Sequence, residues 1–133
     1  MKNRSGIGFQ VGHSYKIENI VSQEDTALYY GSGGLKVLAS PALIGCMEQA
    51  AFLSLEPYLP DGFSTVGISI HLEHIGAAIQ GEEFECEAIL TSFDEKKFIF
   101  RIESKSQTRK LGTAKHIRYL VHKQKFMDRI NEK

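Results

Sequence analysis

Hydrophobic residues along this chain fall into one unbroken block and a series of alternations. The block runs over residues 40–55 and holds Ala42, Leu43, Ile44, Cys46, Met47, Ala50, Ala51, Phe52, Leu53 and Leu55. Its bounds read as helix ends: Ser40 suits an N-cap, Pro41 suits the first helical position, and Pro57 and Pro60 follow the last apolar residue. The apolar positions wrap nearly the whole circumference, so the pattern predicts a buried helix. Over residues 65–74 the apolar residues fall every second position, with Val66, Ile68, Ile70, Leu72 and His74 sharing a face. Residues 82–92 alternate Phe84, Cys86, Ala88 and Leu90 against Glu83, Glu85 and Glu87. Asp94-Glu95-Lys96-Lys97 then reads as a hairpin turn into Phe98, Phe100 and Ile102. A polar stretch over 104–110 leads to a last strand at about 111–121. Residues 13–21 form a weaker strand candidate, and Gly31-Ser32-Gly33-Gly34 a flexible loop.

The order is thus strand, loop, one helix, then several antiparallel strands, an α+β arrangement. A helix apolar all round needs something to wrap it, and a curved antiparallel sheet supplies that in the hotdog architecture. One sheet leaves the far side of the helix and the strand edges under-covered, so a homodimer is expected, and a tetramer is also compatible.

The 133 residues fit one domain spanning 1–133, long enough to bury a core. Sixteen basic residues balance sixteen acidic ones, which argues against a general nucleic-acid or membrane-surface binder. Met1-Lys2-Asn3-Arg4-Ser5 is not followed by the apolar run of a leader peptide, and no stretch reaches a membrane span. Cys46 and Cys86 have no metal-type spacing partner and read as two buried reduced thiols of a cytoplasmic protein.

Three residues stand out chemically. Glu48 lies mid-helix between Met47 and Gln49; a buried carboxylate is costly unless paired, and such a group serves either as a structural anchor or as a base, nucleophile or water-orienting group. His74 ends an apolar row and points toward the helix, sharing the interior with that carboxylate. Ser40 caps the helix where partial positive charge gathers, a place able to hold an acyl oxygen or phosphate. Glu48 follows two turns later on roughly the same side. His71 and His74, three apart on a strand, face opposite ways and cannot share a metal, so no metal is expected. No nucleophile elbow, dinucleotide fingerprint or phosphate loop occurs. The row Glu83, Glu85, Glu87 reads as a solvated face. Lys123, Lys125, Arg129 and Lys133 form a basic tail, ordinarily just solvated but suited to a phosphorylated carrier such as CoA.

The stretch Val37-Leu38-Ala39-Ser40, then Gly45-Cys46-Met47-Glu48, Gly67 and His74, resembles the fluoroacetyl-CoA thioesterase family of hotdog enzymes. The likeness continues through Ala77-Ala78, Gly81, Gly112, His116, Arg118 and Phe126, from about His13 onward. The resemblance implies Ser40, Glu48 and His74 as the catalytic set, with Ser40 in place of the family's Thr. It implies Gly67 as a positioner of the thioester oxygen and Arg118 as a supporting polar residue. No cofactor is implied beyond the coenzyme A of the substrate. The segment over 29–35 is shorter than the family's Phe-bearing lid and has no Phe, so the reaction class carries over and the fluorinated substrate does not.

The resulting expectation is an acyl-CoA thioesterase whose pocket lies at a dimer seam, between the helix and the strand holding His74. The alternative is a hotdog protein that binds acyl-CoA or a small apolar ligand without turnover; a dehydratase or hydratase on the same fold is a third reading.

Overall fold

The block at 40–55 does form the one long helix, and the computed structural model, which describes residues 9–132, shows what it packs against. The Met1–Ser5 stretch and Lys133 of the basic tail lie outside the described residues. In chain order the elements are β1 (Ser14–Ile20), α1 (Ala27–Tyr30), α2 (Ser40–Leu55), β2 (Phe63–His74), β3 (Glu83–Phe93), β4 (Lys97–Ser106), β5 (Lys110–His122) and α3 (Lys123–Asn131). The five strands make one antiparallel sheet in the order β1-β3-β4-β5-β2.

Helix α2 buries Leu43, Cys46, Met47, Ala50, Ala51, Ser54 and Leu55, the three-and-four spacing of a single face. Opposite lie Phe84, Cys86, Ala88 and Leu90 of β3 and Phe98, Phe100 and Ile102 of β4, all buried as their alternation requires. The other flank of α2 departs from the expected all-round burial. Pro41, Gly45 and Gln49 are exposed, while Ile44, Glu48 and Phe52 are half-buried. One sheet covers one side of a helix, and among the described residues nothing covers the other.

The helix also starts one residue earlier than its cap signals suggest. Ala39 is the N-cap, Ser40 is the first helical residue and Pro41 the second, still within the turn where a missing N–H costs nothing. Ser40 is thereby free for other bonding.

Strand β2 departs from simple alternation at one point. The ladder to β5 pairs Gly67 with Arg118 and then Ser69 with Ile117, leaving Ile68 outside the register. Such a bulge shifts the pleat by one residue. Ile70, Leu72 and His74 face the helix as expected. On the other side of the bulge Thr65 and Gly67 take the inward positions, so Val66 and Ile68 do not share that face; Ile68 is 50% exposed.

Other differences are smaller. Strand β4 runs on to Ser106, into the stretch expected to be polar loop, and leaves 107–109 as the loop, because the Ser104 hydroxyl donates to Glu85 O at 2.8 Å and the Ser106 hydroxyl accepts the Arg109 N–H at 3.3 Å, which lets both small polar residues be buried. The expected turn is closed by Asp94, whose Oδ1 accepts the N–H groups of Lys96 and Lys97 at 2.9 Å each. The region before α2 contains a short helix, α1, ended by Gly31 at φ 77°. The basic tail forms α3, started by the His122 ring accepting the Lys125 N–H at 3.3 Å.

Candidate active site

Two segments far apart in sequence are clasped to bring Ser40 and His74 together. The chain leading into α2 is tied to the linker leaving β2: Leu38 N–H donates to Ala78 O at 2.8 Å, Gln80 N–H donates to Lys36 O at 3.2 Å, and Val37 bridges Ile79. That linker is in turn pinned to β5, where Ile75 and Gly76 both donate to Leu111 O, at 2.8 and 3.1 Å. Gly76 crosses so close to β5 that an added Cβ would lie 2.1 Å from Lys110 O, so only glycine fits. Within this clasp the Ser40 hydroxyl and His74 Nδ1 are hydrogen-bonded at 2.7 Å. Burial lowers the His74 pKa from its ordinary value, and a backbone hydrogen bond with Gly76 opposes the shift. At neutral pH the imidazole is therefore neutral and able to take a proton.

A second cluster lies lower on α2. The half-buried Glu48 carboxylate faces the inner position that the bulge gives to Gly67. A Cβ on Gly67 would sit 3.0 Å from Glu48 Oε2, 3.1 Å from His116 Cε1 and 3.4 Å from Arg118 Nη1. Arg118 is buried, and each of its three nitrogens donates: Nε to Thr65 Oγ1 at 2.8 Å, Nη2 to Thr65 O at 2.9 Å and Nη1 to His116 Nε2 at 3.1 Å. Its guanidinium also lies over the Phe52 ring, 5.7 Å from the centroid. Burial lowers the Arg118 pKa, and the charges of Glu48 and Glu56 act against that shift.

The partners of His116 fix its tautomer. Nδ1 lies 2.7 Å from Ser69 O, which can only accept, so Nδ1 carries the proton. Nε2 then accepts from Arg118. Burial depresses the His116 pKa; the Ser69 bond opposes this, Arg118 adds to it and Glu48 opposes it. A neutral His116 thus orients the guanidinium beside the carboxylate. His116, Thr65 and Gly76 were not expected in these roles. The first two become visible only once the bulge places 65 and 67 opposite 120 and 118, and the third only once β5 is seen to cross behind the linker.

Of the expected site residues, Ser40 and His74 touch, and Glu48, Gly67 and Arg118 group together. The two groups do not meet within one chain. Eight residues of α2 separate Ser40 from Glu48, about 12 Å along the helix axis. Seven residues of β2 separate Gly67 from His74, about 20 Å along the strand.

A family model described as the fluoroacetyl-CoA-specific thioesterase matches residues 21–124, which hold both groups. The chain belongs to that family. A curated relative, the fluoroacetyl-CoA thioesterase of Streptantibioticus cattleyicolor, is 26% identical over 132 residues, 95% of each chain. A solved structure of the fluoroacetyl-CoA thioesterase FlK superposes with a TM-score of 0.88 at 24% identity, covering 95% of this chain and 98% of that one. A Thermus thermophilus member of the thioesterase superfamily superposes with a TM-score of 0.84 at 20% identity, covering 91% and 90%. These superpositions establish the hotdog fold. Membership of the fluoroacetyl-CoA-specific thioesterase family makes the chain a thioester hydrolase.

Proposed function

We propose that this chain hydrolyses a small acyl-CoA to the free acid and CoA, using Ser40, Glu48 and His74. The observation that carries the assignment is the 2.7 Å bond between His74, held neutral by burial, and Ser40, which lies on the same helix as the half-buried Glu48. Glu48 supplies the carboxylate, attacking the carbonyl or orienting the water that does. His74 moves the proton, and Ser40 fixes the ring and the acyl oxygen. Backbone N–H groups beside Gly67 receive the developing oxyanion, and Arg118 holds the carboxylate's surroundings in place.

The separation of the two groups supports a site completed by a second copy. Strand β2 is a sheet edge of 12 residues whose only charged carboxylate is Glu73. Long, uncharged edges are ordinarily covered. Antiparallel pairing of two β2 edges would set the His74 end of one copy beside the Gly67 end of the other. It would also cover the exposed flank of α2. In this reading the protein is a homodimer of one 1–133 domain per copy, working in the cytoplasm, with no cofactor beyond the coenzyme A of its substrate.

The test is free thiol release from a panel of short, branched, aromatic and fluorinated acyl-CoAs, with His74→Ala alongside. Turnover that the variant loses is expected. Saturable binding of the same esters with no thiol release would overturn the assignment in favour of a ligand-binding hotdog protein. Enoyl-CoA consumption without free thiol would point to a hydratase.

A further inference from the structure

His116 stands in the middle of β5 and is 0% exposed, yet both of its ring nitrogens are bonded, and the two bonds lead to different parts of the site. Nδ1–H donates to Ser69 O at 2.7 Å, and Ser69 is the first residue to pair with β5 beyond the bulge at Ile68. A carbonyl in a regular antiparallel ladder faces the neighbouring strand. This one meets a side chain on the inner face of the sheet, so the bulge turns it out of the ladder and His116 supplies its donor. Nε2 accepts from Arg118 Nη1 at 3.1 Å. The Phe100 ring of β4 lies alongside the imidazole, 6.4 Å between centroids with the planes 30° apart, and helps to fix its orientation.

We infer that His116 is a positioning residue for thioester hydrolysis, whose single ring fixes both the backbone turned inward at Gly67 and the Arg118 guanidinium relative to Glu48. It rests on the thioesterase reading, which places the attacking carboxylate and the oxyanion donors at that point. The geometry converges there: His116, Arg118 and Glu48 each come within 3.4 Å of the place a Cβ on Gly67 would occupy.

The physical reason is preorganisation. Backbone N–H groups and a nearby cation favour developing negative charge most when they need not move as it forms. A bulge interrupts the ladder, and an arginine side chain has many rotamers, so without a common tie each would sample several positions. One planar ring with a donor on one side and an acceptor on the other removes both freedoms together. The chemistry of the partners requires that combination, because Ser69 O can only accept and Arg118 can only donate. Asn and Gln also carry a donor and an acceptor, but too close together to span the two partners.

That difference supplies the experiment. In His116→Asn the amide reaches where Nδ1 stood, so Ser69 O keeps a donor and Arg118 Nη1 loses its acceptor. In His116→Gln the amide reaches where Nε2 stood and does the reverse. Thiol release from the best acyl-CoA is measured for both beside wild type and His116→Leu, with a urea titration of each preparation and rates referred to folded protein. Each half-replacement should lower kcat by about tenfold to a hundredfold and leave KM within about twofold of wild type. His116→Leu should lose more than either; should it fail to fold, Asn and Gln carry the test. His116→Asn should also cost much less when added to Arg118→Lys than to wild type, because its effect travels through the guanidinium. A folded Asn or Gln variant with wild-type kcat overturns the inference. So does a loss that disappears once rates are referred to folded protein, or an Asn loss of undiminished size in the Arg118→Lys background. In those cases wild-type turnover leaves the thioesterase reading standing. Wild type that releases no thiol from any ester overturns that reading, and this inference with it.

Discussion

Replacing Gly67 with Ala adds one methyl at the point where β2, α2 and β5 converge. That carbon would lie 3.0 Å from Glu48 Oε2 and 3.1 Å from His116 Cε1. Ordinary contacts are about 3.5 Å, so each neighbour must retreat by roughly 0.5 Å. His116 cannot yield, because Nδ1 is held by Ser69 O at 2.7 Å and Nε2 by Arg118 at 3.1 Å. Glu48 is half-buried with a flexible stem and is the group that moves. Since a 1 Å misplacement of a catalytic group costs about 100-fold, half of that predicts a loss of about tenfold in kcat. The stability cost should be small, about 1 kcal/mol, because a side-chain tip and not backbone gives way. Steady-state thiol release and a urea titration on the same preparation separate the two effects. A Gly67→Ala protein with wild-type kcat would refute the placement of Glu48 at the reacting carbonyl. A loss of several kcal/mol with unchanged kcat would show that Gly67 is needed for packing alone.

Arg118→Ala should cost about 3–5 kcal/mol of stability, since it strands Thr65 Oγ1, Thr65 O and His116 Nε2 and removes the charge beside Glu48. Arg118→Lys should retain the charge but lose the fork, and denaturant titration of both variants should rank Lys between wild type and Ala. Gly76→Ala would set a methyl 2.1 Å from Lys110 O, and backbone cannot yield as a side chain does. It should cost about 2–3 kcal/mol and reduce turnover by disturbing the linker that holds His74 against Ser40, as paired melting and activity measurements would show. The pH profile follows from the depressed His74 pKa. A neutral base is lost as pH falls through its folded-state value, so the acid limb of kcat/KM should have its midpoint below the ordinary histidine value of about 6.5. A midpoint at or above that value would contradict His74 as the base.

Much of this was legible in the sequence where local periodicity governs the outcome. The apolar block at 40–55 and the alternations through Phe84–Leu90 and Phe98–Ile102 decide their own structure, because each needs only a single face to be buried. Glu48 and His74 stood out as polar groups among apolar ones. Pattern reading failed where a tertiary contact overrides the local rule. Alternation carried through Val66 and Ile68 cannot register the bulge, which depends on the pairing with β5 and which turns Gly67 inward. The expected cap role of Ser40 gave way to His74, which lies 34 residues away and is positioned by the clasp between residues 36–38 and 78–80. The engagement of Arg118 by Thr65 likewise arises from two strands meeting, and no spacing along the chain encodes it. The exposed flank of α2 is the reverse case. Its apolar residues were read as buried, and within one chain they are not.

The most direct test of the account is thiol release from the best acyl-CoA by Glu48→Gln, beside wild type, with matched melting curves. Gln preserves the size and most of the contacts of Glu48 but can neither attack the carbonyl nor take a proton. The account predicts a folded protein of near wild-type Tm that has lost about a thousandfold or more in kcat. A folded Glu48→Gln protein that releases thiol at the wild-type rate would contradict it.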